Sequence, residues 1–154
     1  MTKQYWLFKA EPEDYPVEQF QIDKKTCWDG VRNYQARNFL RDSIKKGDEV
    51  FIYQSNTEPL AIVAVAGVVK EGYPDFTAMD PENSHFDPKS TPENPIWYMV
   101  DIKLTKLLNS PVTLSELKKN PLLKDFRLLQ RGNRLSVMPV TAEEWNEILK
   151  MAGN

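Results

Sequence analysis

Residues 49–70, EVFIYQSNTEPLAIVAVAGVVK, decide the fold class of this chain of 154 residues. The segment 49–55 alternates in polarity in the manner of a β-strand. Residues 60–70 follow as a nearly continuous run of β-branched and small side chains, and the length and valines of this run favour a buried strand over a helix. Two strands so close together in the chain predict a β-sheet at the core of the fold.

Further strands and helices are predicted on both sides of this pair. The strands span 5–9, 97–105 and 134–140, and the helices span 34–46, 111–119 and 141–151. Asn33 is the expected N-cap of the first helix. Two capping boxes, Thr113 with Glu116 and Thr141 with Glu144, mark the starts of the other two helices.

The order of these elements predicts the architecture. Strands and helices do not alternate in regular βαβ units, which indicates an α+β fold around a curled mixed or antiparallel sheet. A small β-barrel is one way for such a sheet to remove its exposed edges. Trp145 lies on an amphipathic helix and is expected in the core. Residues 71–96 are rich in proline and acidic residues and predict a long loop, and loops of this length are usually functional or mobile.

The overall composition is that of an ordinary soluble globular protein. Hydrophobic residues make up 41% of the chain and charged residues 27%, and no apolar run approaches the roughly 20 residues that span a bilayer. A chain of this length can bury a sizeable core, so we expect a single domain over 1–154. A single cysteine, Cys27, excludes an internal disulfide. These features suit a cytoplasmic protein, or a nuclear one if the source is a eukaryote.

The charge of the chain is small but unevenly distributed. The net charge is −2, whereas general nucleic-acid binders are usually basic. Residues 24–46 carry seven basic and two acidic side chains, and residues 103–134 carry eight and two. Residues 71–101 carry seven acidic side chains and one lysine. The two basic segments could form one basic face if the fold brings them together, or they could be ordinary solvated surface.

The sequence lacks most motifs of catalysis and metal binding. His85 is the only histidine and Cys27 the only cysteine, so we expect no multi-ligand metal site of these residues and no bound cofactor. Neither a glycine-rich phosphate loop nor a GxSxG nucleophile motif occurs. A nucleophilic pair of Cys27 and His85 remains possible only if the fold joins the two residues.

Aromatic residues beside planar polar groups form the remaining chemical signal. Trp28 is followed closely by Arg32, Asn33 and Gln35, the segment YQSN ends a predicted strand, and the segment QRGNRLS surrounds a glycine turn with two arginines. Unstacked bases are recognised in this way, with an aromatic ring on the face and amide or guanidinium groups on the edges. Any one aromatic residue, however, is more often a core residue than a ligand platform.

The sequence resembles the EVE-domain family over nearly its whole length. The resemblance is carried by YWLFKAEPEDYP, TCWDGVRNYQARNFLRD, GDEVFIYQSN, GVVKEGYPD, FDPKS, NPIWYMVDI and LLQRGNRLSVMPVTAEEWNEIL. It implies a PUA-like fold, in which short helices surround a small mixed β-barrel. It also implies a nucleic-acid binding module that recognises a modified base in DNA or RNA, as do related readers of methylated adenine and methylated cytosine.

The resemblance also implies where the ligand binds. The expected ligand-binding residues are Lys9, Glu11, Trp28, Val31, Arg32, Asn33, Gln35, Tyr53, Ser55, Arg131, Arg134 and Ser136. The last three resemble a family segment that would suit contacts with the nucleic-acid backbone. The family often has histidine where this chain has Gln54, which would alter ligand preference if that side chain contacts the base. A small enzyme that acts on a nucleotide or base through the same pocket is the alternative function.

Overall fold

The computed structural model describes residues 3–11, 15–55 and 59–153 as a mixed α+β structure. Its strands are β1 (Tyr5–Ala10), β2 (Lys25–Cys27), β3 (Glu49–Gln54), β4 (Ala61–Pro74), β5 (Tyr98–Thr113) and β6 (Val137–Val140). Its α-helices are α1 (Val17–Asp23), α2 (Tyr34–Asn38), α3 (Leu114–Lys119) and α4 (Ala142–Met151). The α+β prediction is therefore confirmed. Asn56, the last residue of the YQSN segment, lies outside the described residues.

The six strands form one sheet in the order β2–β5–β4–β3–β1–β6. Strand β1 pairs with β3 in parallel and with β6 in antiparallel, and the remaining pairs are antiparallel. The register shifts between Ile52 and Tyr53 in β3 and at four places along β4. Such bulges bend strands and increase their twist. Among the described residues, the end strands β2 and β6 do not pair with each other, so no hydrogen-bonded ladder closes the sheet into a barrel.

Both strands of the opening segment are buried, as the sequence predicts. Val50, Phe51 and Ile52 on β3 are at most 2% exposed, and most residues of the apolar stretch of β4 are also buried. Helix α4 covers this sheet by stacking Trp145 on Phe51 with ring centroids 3.7 Å apart. Both predicted capping boxes are present, at the starts of α3 and α4.

The helix predicted over 34–46 is wrong in its length and regularity. Helix α2 ends at Asn38 and continues as a π-helical turn over Phe39–Ser43. Strand β4 passes very close to this turn, since a Cβ atom on Gly72 would lie 2.4 Å from the carbonyl oxygen of Leu40. A regular α-helix pattern in the sequence does not reveal such a local rearrangement, which depends on a strand about 30 residues away.

Other boundaries also differ from the prediction. Strand β5 continues to Thr113, so residues 111–113 are strand and the following helix begins at Leu114. Strand β4 extends to Pro74 and a 3₁₀ turn occupies Phe76–Met79, which shortens the predicted loop 71–96. Strand β6 begins only at Val137. Long paired strands gain ladder hydrogen bonds from their neighbours, and this pairing overrides the local turn signals of the sequence.

Candidate functional site

A cavity of about 320 Å³ opens where β1 ends, beside β2 and the segment that follows β2. The residues that line it come from both ends of the strand order and from the loop before β5. They are Lys9, Ala10, Glu11, Tyr15, Thr26, Cys27, Trp28, Asp29, Gly30, Val31, His85 and Ser136. Its volume lies near the lower end of the roughly 300–1,000 Å³ typical of small-ligand pockets. The cavity is therefore of a size for one small planar group.

Trp28 belongs to both the core and the cavity wall. Its ring is only 8% exposed and lies 5.4 Å from the ring of Phe8 between centroids. Tyr15, another lining residue, meets it edge-to-face at 6.2 Å. The backbone N–H of Trp28 donates to the carbonyl of Val100, which continues the pairing between β2 and β5. Trp28 is therefore packed in the core and also lines the cavity, so its position fits either of the two roles considered for it.

A buried carboxylate fixes the wall that follows Trp28. Asp75 is fully buried and accepts hydrogen bonds from the backbone N–H of Gly30 at 2.9 Å and from Nη1 of Arg32 at 3.0 Å. Burial alone would raise the pKa of Asp75, but hydrogen bonds from Thr77, Gly30 and Arg32 outweigh it and lower this pKa. Asp75 therefore holds the wall in place as an ionised group.

Arg32 ties the loop that carries His85 to the same wall. Its Nη2 and Nε atoms donate to the carbonyl oxygen of His85 at 2.7 and 3.2 Å. The guanidinium also lies over the ring of Trp97, 5.3 Å from the centroid, and Trp97 in turn stacks on Tyr34. Arg32 was expected to contact the ligand, but it does not line the cavity. The geometry gives it a supporting role, because its donors are directed at protein acceptors.

His85 packs directly on Gly30 at the cavity wall. Gly30 has a φ of +78°, and a Cβ atom there would lie 2.6 Å from Cε1 of His85. The Nδ1 atom of His85 is buried, has no hydrogen-bond partner among the residues that the structure describes, and lies 3.7 Å from Oδ2 of Asp29. Glycine is therefore required at position 30 for two reasons, its backbone conformation and the close approach of the imidazole.

Burial shifts the pKa of several lining groups. It raises the pKa of the Asp29 carboxyl, with Asp75 as a second cause, and it lowers the pKa of the Lys9 amine. The pKa of Tyr15 is raised to about 12 by burial and by its hydrogen bond to Asp23. Each shift has the sign expected for a group that leaves water. The cavity is thus partly desolvated, which strengthens polar contacts made inside it.

Cys27 and His85, the pair left open by the sequence, line the same cavity. Burial and the nearby Asp29 carboxylate raise the pKa of the Cys27 thiol. An activated cysteine nucleophile needs the opposite shift, toward the thiolate. The fold brings the two residues to one site but gives the thiol an environment that disfavours nucleophilic attack.

A second depression, of about 370 Å³, lies beside the start of α2 and forms an arginine groove. The residues that line this groove are Asn33, Gln35, Arg127, Gln130, Arg131, Gly132, Asn133, Arg134 and Leu135. Asn33 is the N-cap of α2, as predicted, and its Oδ1 accepts a hydrogen bond from the N–H of Ala36. Two basic segments of the sequence are therefore adjacent here, since the start of α2 meets the turn that precedes β6.

The expected ligand-binding residues divide into three groups. Lys9, Glu11, Trp28, Val31 and Ser136 line the cavity, and Asn33, Gln35, Arg131 and Arg134 line the arginine groove. The remaining three, Arg32, Tyr53 and Ser55, line neither.

The third group lies close to the cavity but within the sheet. Tyr53 is 3% exposed and pairs with Lys9 in the β1–β3 register. The N–H of Ser55 donates to the carbonyl of Ala10, so its backbone extends the same pairing. Gln54 is half-buried and lines neither depression. Tyr53 and Ser55 thus pair with Lys9 and Ala10, which line the cavity, but do not line it themselves.

Three basic residues spaced by four in the predicted first helix, Arg37, Arg41 and Lys45, have acceptors within the protein. Arg37 donates to the carbonyl of Ile96, Arg41 pairs with Asp42 at 2.9 Å, and Nζ of Lys45 lies 4.0 Å from Oε1 of Glu71. Arg37 lies on α2, Arg41 lies on the π-helical turn, and Lys45 follows that turn.

Several lining residues were not predicted from the sequence. In the cavity they are Ala10, Tyr15, Thr26, Cys27, Asp29, Gly30 and His85. Asp29 and Gly30 follow Trp28 directly, so the position of the tryptophan is the signal that could have found them. His85 carries no local signal, because residues distant in the sequence, such as Arg32, hold its loop at the cavity.

Metal binding and membrane insertion find no support within ranges 3–11, 15–55 and 59–153. No group of three or more histidine, cysteine, aspartate or glutamate side chains there could hold a metal ion. None of the helices in those ranges has the length and apolar character needed to cross a bilayer.

Comparison with known proteins identifies the family. The family model described as EVE domain matches residues 4–151. The chain is 40% identical over 167 aligned residues to thymocyte nuclear protein 1 of Homo sapiens, a match that covers 96% of this chain and 73% of that protein. The crystal structure of the human THYN1 protein in complex with 5-methylcytosine containing DNA is similar with a TM-score of 0.91, at 38% identity over 99% of each chain.

A more distant likeness extends to the YTH domain of the Zygosaccharomyces rouxii MRB1 protein, solved in complex with N6-methyladenosine RNA. The TM-score is 0.58 at 14% identity, over 99% of this chain and 85% of that one, which shows a common fold alone. The match to the family model, by contrast, spans nearly every element described above. The chain belongs to the EVE-domain family.

Proposed function

We propose that this protein recognises a modified base in DNA or RNA, without changing it. The base enters the cavity beside Trp28, and the adjoining sugar-phosphate backbone lies along the arginine groove. The observation that carries the proposal is this adjacency: residues 28–31 line the cavity, and Asn33 and Gln35 line the groove. A base out of its stack needs an aromatic and polar pocket, and its phosphates need cations nearby.

The human relative supports the proposal. That protein was solved with DNA that contains 5-methylcytosine, and its fold matches this chain over 99% of both. The identity of 38% makes a similar ligand class a reasonable inference for this chain. The residues of the cavity wall determine the preference for base and sugar.

A curled, barrel-like sheet of the PUA-like type is part of the proposal. Lys9 on β1 and Cys27 on β2 line one cavity, although β5, β4 and β3 lie between these two strands in the sheet. The N–H of Lys9 donates to the carbonyl of Ser136, so the segment before β6 lies there as well. A sheet whose two ends line one cavity must curl strongly, and the bulges of β4 and β5 provide the bends.

Recognition without catalysis is favoured over the enzymatic alternative. The raised pKa of Cys27 argues against a thiolate nucleophile. We further propose that residues 1–154 act as one domain that needs no cofactor. The name of the human relative supports a nuclear location for eukaryotic members, and the cytoplasm remains our proposal for a bacterial source.

The test is a binding panel of short oligonucleotides, single-stranded and duplex, that carry methylated or hydroxymethylated bases, at two salt concentrations. We expect at least one modified base to bind more tightly than its unmodified counterpart at both salts. Unmodified duplex should bind only in the non-specific range, on the order of 10⁻⁴–10⁻⁶ M near physiological salt. Equal affinity for every modified and unmodified pair would refute recognition, and consumption of the oligonucleotide would favour an enzyme.

A further inference from the structure

Asp29 stands out among the polar groups of the cavity because its carboxylate is available for a ligand. The side chain is 34% exposed and lines the cavity. Its nearest cationic candidate, Nδ1 of His85, lies 3.7 Å away, which is too far for a hydrogen bond. Within the described part of the chain, no donor from another residue forms a hydrogen bond with this carboxylate.

The position of Asp29 is fixed although no other described residue donates to its carboxylate. The N–H of the next residue, Gly30, donates to buried Asp75, and Trp28 on the other side is hydrogen-bonded to β5. His85 packs against Gly30 and closes the opposite side. The backbone on both sides of Asp29 is therefore held by hydrogen bonds, and a ligand acceptor placed in this way can discriminate among ligands.

An ionised carboxylate selects ligands by hydrogen-bond polarity, because it accepts and cannot donate. Cytosine and adenine present an exocyclic amine, which is a donor. Thymine presents a carbonyl oxygen at the equivalent position, which would face the carboxylate acceptor to acceptor. Such an unpaired contact in a partly desolvated site costs more than the loss of a simple hydrogen bond.

We propose that Asp29 is the specificity-determining residue of the cavity and accepts a hydrogen bond from the exocyclic amine of a cytosine-type or adenine-type base. This inference rests on the proposed function and adds to it the edge of the base that is recognised. Glu11, the second carboxylate among the described lining residues, is exposed and lies outside the segment fixed by Asp75. It is therefore less suited to discriminate between bases.

The partial burial of Asp29 allows a substitution that tests its hydrogen bond without destabilising the fold. Asp29→Asn keeps the size of the side chain and replaces one acceptor by a donor. Because burial raises the pKa of Asp29, the folded state does not favour ionisation of this group, and removing the charge should not destabilise the fold. The amide can then donate to a carbonyl oxygen, so the preference for base type should reverse.

The experiment compares two amine and carbonyl pairs at one position of a single-stranded oligonucleotide: 5-methylcytosine against thymine, and adenine against hypoxanthine. The wild-type protein should bind the amine member of at least one pair roughly 10- to 100-fold more tightly. Asp29→Asn should abolish or reverse this ratio at an unchanged melting temperature. Asp42→Asn, on an exposed residue paired with Arg41 outside the cavity, is the matched control and should keep the wild-type ratio.

Three results would overturn the inference. The wild-type protein could bind both members of each pair equally, or Asp29→Asn could keep the wild-type ratio while folded. Glu11→Gln could instead be the variant that reverses the ratio, which would assign specificity to Glu11. If the proposed function itself is wrong, no oligonucleotide will change the nuclear magnetic resonance signal of the Trp28 indole in any of these folded proteins. That outcome differs from all three results above.

Discussion

Oδ2 of Asp75 lies 3.0 Å from Nη1 of Arg32, and the same oxygen accepts the backbone N–H of Gly30. Through this oxygen, a fully buried carboxylate near the end of β4 holds the segment that follows Trp28. Arg32 extends the connection to the carbonyl oxygen of His85. The cavity wall therefore depends on contacts between residues more than 40 positions apart, and its shape should change when this pair is broken.

Asp75→Asn should destabilise the protein by roughly 3 kcal/mol. This value is the lower end of the range for breaking a buried ion pair, because the Arg32 side chain keeps 24% exposure and can be partly solvated. Equilibrium unfolding in urea at neutral pH measures the change. Asp42→Asn removes an exposed carboxylate from another arginine and should cost much less stability than Asp75→Asn, because solvent screens this pair. Equal losses in the two variants would contradict the structural role of Asp75.

The same carboxylate predicts how stability responds to acid. The pKa of Asp75 is lower in the folded state than its ordinary value, so its contribution is fully present above the unfolded pKa of about 4. It is lost as the pH falls from there through the folded pKa. Wild-type stability should therefore decline more steeply below about pH 4 than that of Asp75→Asn. Parallel pH profiles of the two proteins would show that folding does not lower the pKa of Asp75.

Gly30→Ala should destabilise the protein and also impair binding. The new Cβ atom would lie 2.6 Å from the His85 ring, and its backbone φ is +78°. Backbone strain alone costs about 1–3 kcal/mol. Gly47→Ala is the control for strain, because Gly47 has a φ of +96° but nothing within 4 Å of its added Cβ. Chemical unfolding should show a larger loss for Gly30→Ala, and identical losses would mean that His85 moves away freely.

Trp28→Ala should weaken both folding and binding, because the ring serves the core and the cavity. We expect a loss of about 3–5 kcal/mol in unfolding free energy. The folded fraction should bind the preferred oligonucleotide roughly 5- to 150-fold more weakly, the equivalent of about 1–3 kcal/mol of base stacking. Trp145→Ala is the matched control, since Trp145 is a core tryptophan stacked on Phe51 outside both depressions. It should lose stability but keep its affinity, and unchanged affinity in Trp28→Ala would remove the ring from the site.

The arginine groove should contribute affinity without specificity. Replacing both Arg131 and Arg134 by alanine should weaken binding to modified and unmodified oligonucleotides by the same factor. The slope of log affinity against log salt should become shallower by about 1.4–1.8, from two lost phosphate contacts. Alanine at both Lys118 and Lys119, exposed on α3, removes equal charge elsewhere and should change the slope little. A changed ratio of modified to unmodified affinity would assign base contacts to the groove.

The sequence predicts which strands and helices are present better than it predicts their lengths and boundaries. Alternating and β-branched segments predict β3 and β4, and the capping boxes predict the starts of α3 and α4. These signals are local, and local signals are what a single sequence contains. The split of the first helix depends on the approach of Gly72 to Leu40, and the lengths of β4 and β5 depend on their pairing with each other. Such long-range causes have no local pattern.

The candidate site also has some features with a local sequence signal and others without one. Trp28, Asn33 and Gln35 belong to an aromatic and polar pattern that is contiguous in the chain, and each of them lines one of the two depressions. The contacts of Arg32 have no such local signal, since its partners Asp75 and His85 lie more than 40 positions away. A donor-rich side chain in a motif looks identical in sequence whether it binds a ligand or the protein itself.

The most direct test of the account is whether the base enters the cavity. Nuclear magnetic resonance of the backbone amides and tryptophan indoles, during titration with the preferred modified oligonucleotide, gives the answer. We predict large shifts at the Trp28 indole, Asp29 and Ser136, absent with the unmodified oligonucleotide, and shifts at Arg131 and Arg134 with both. Shifts confined to the arginine groove, or identical patterns with the two oligonucleotides, would contradict the claim that this cavity holds a modified base.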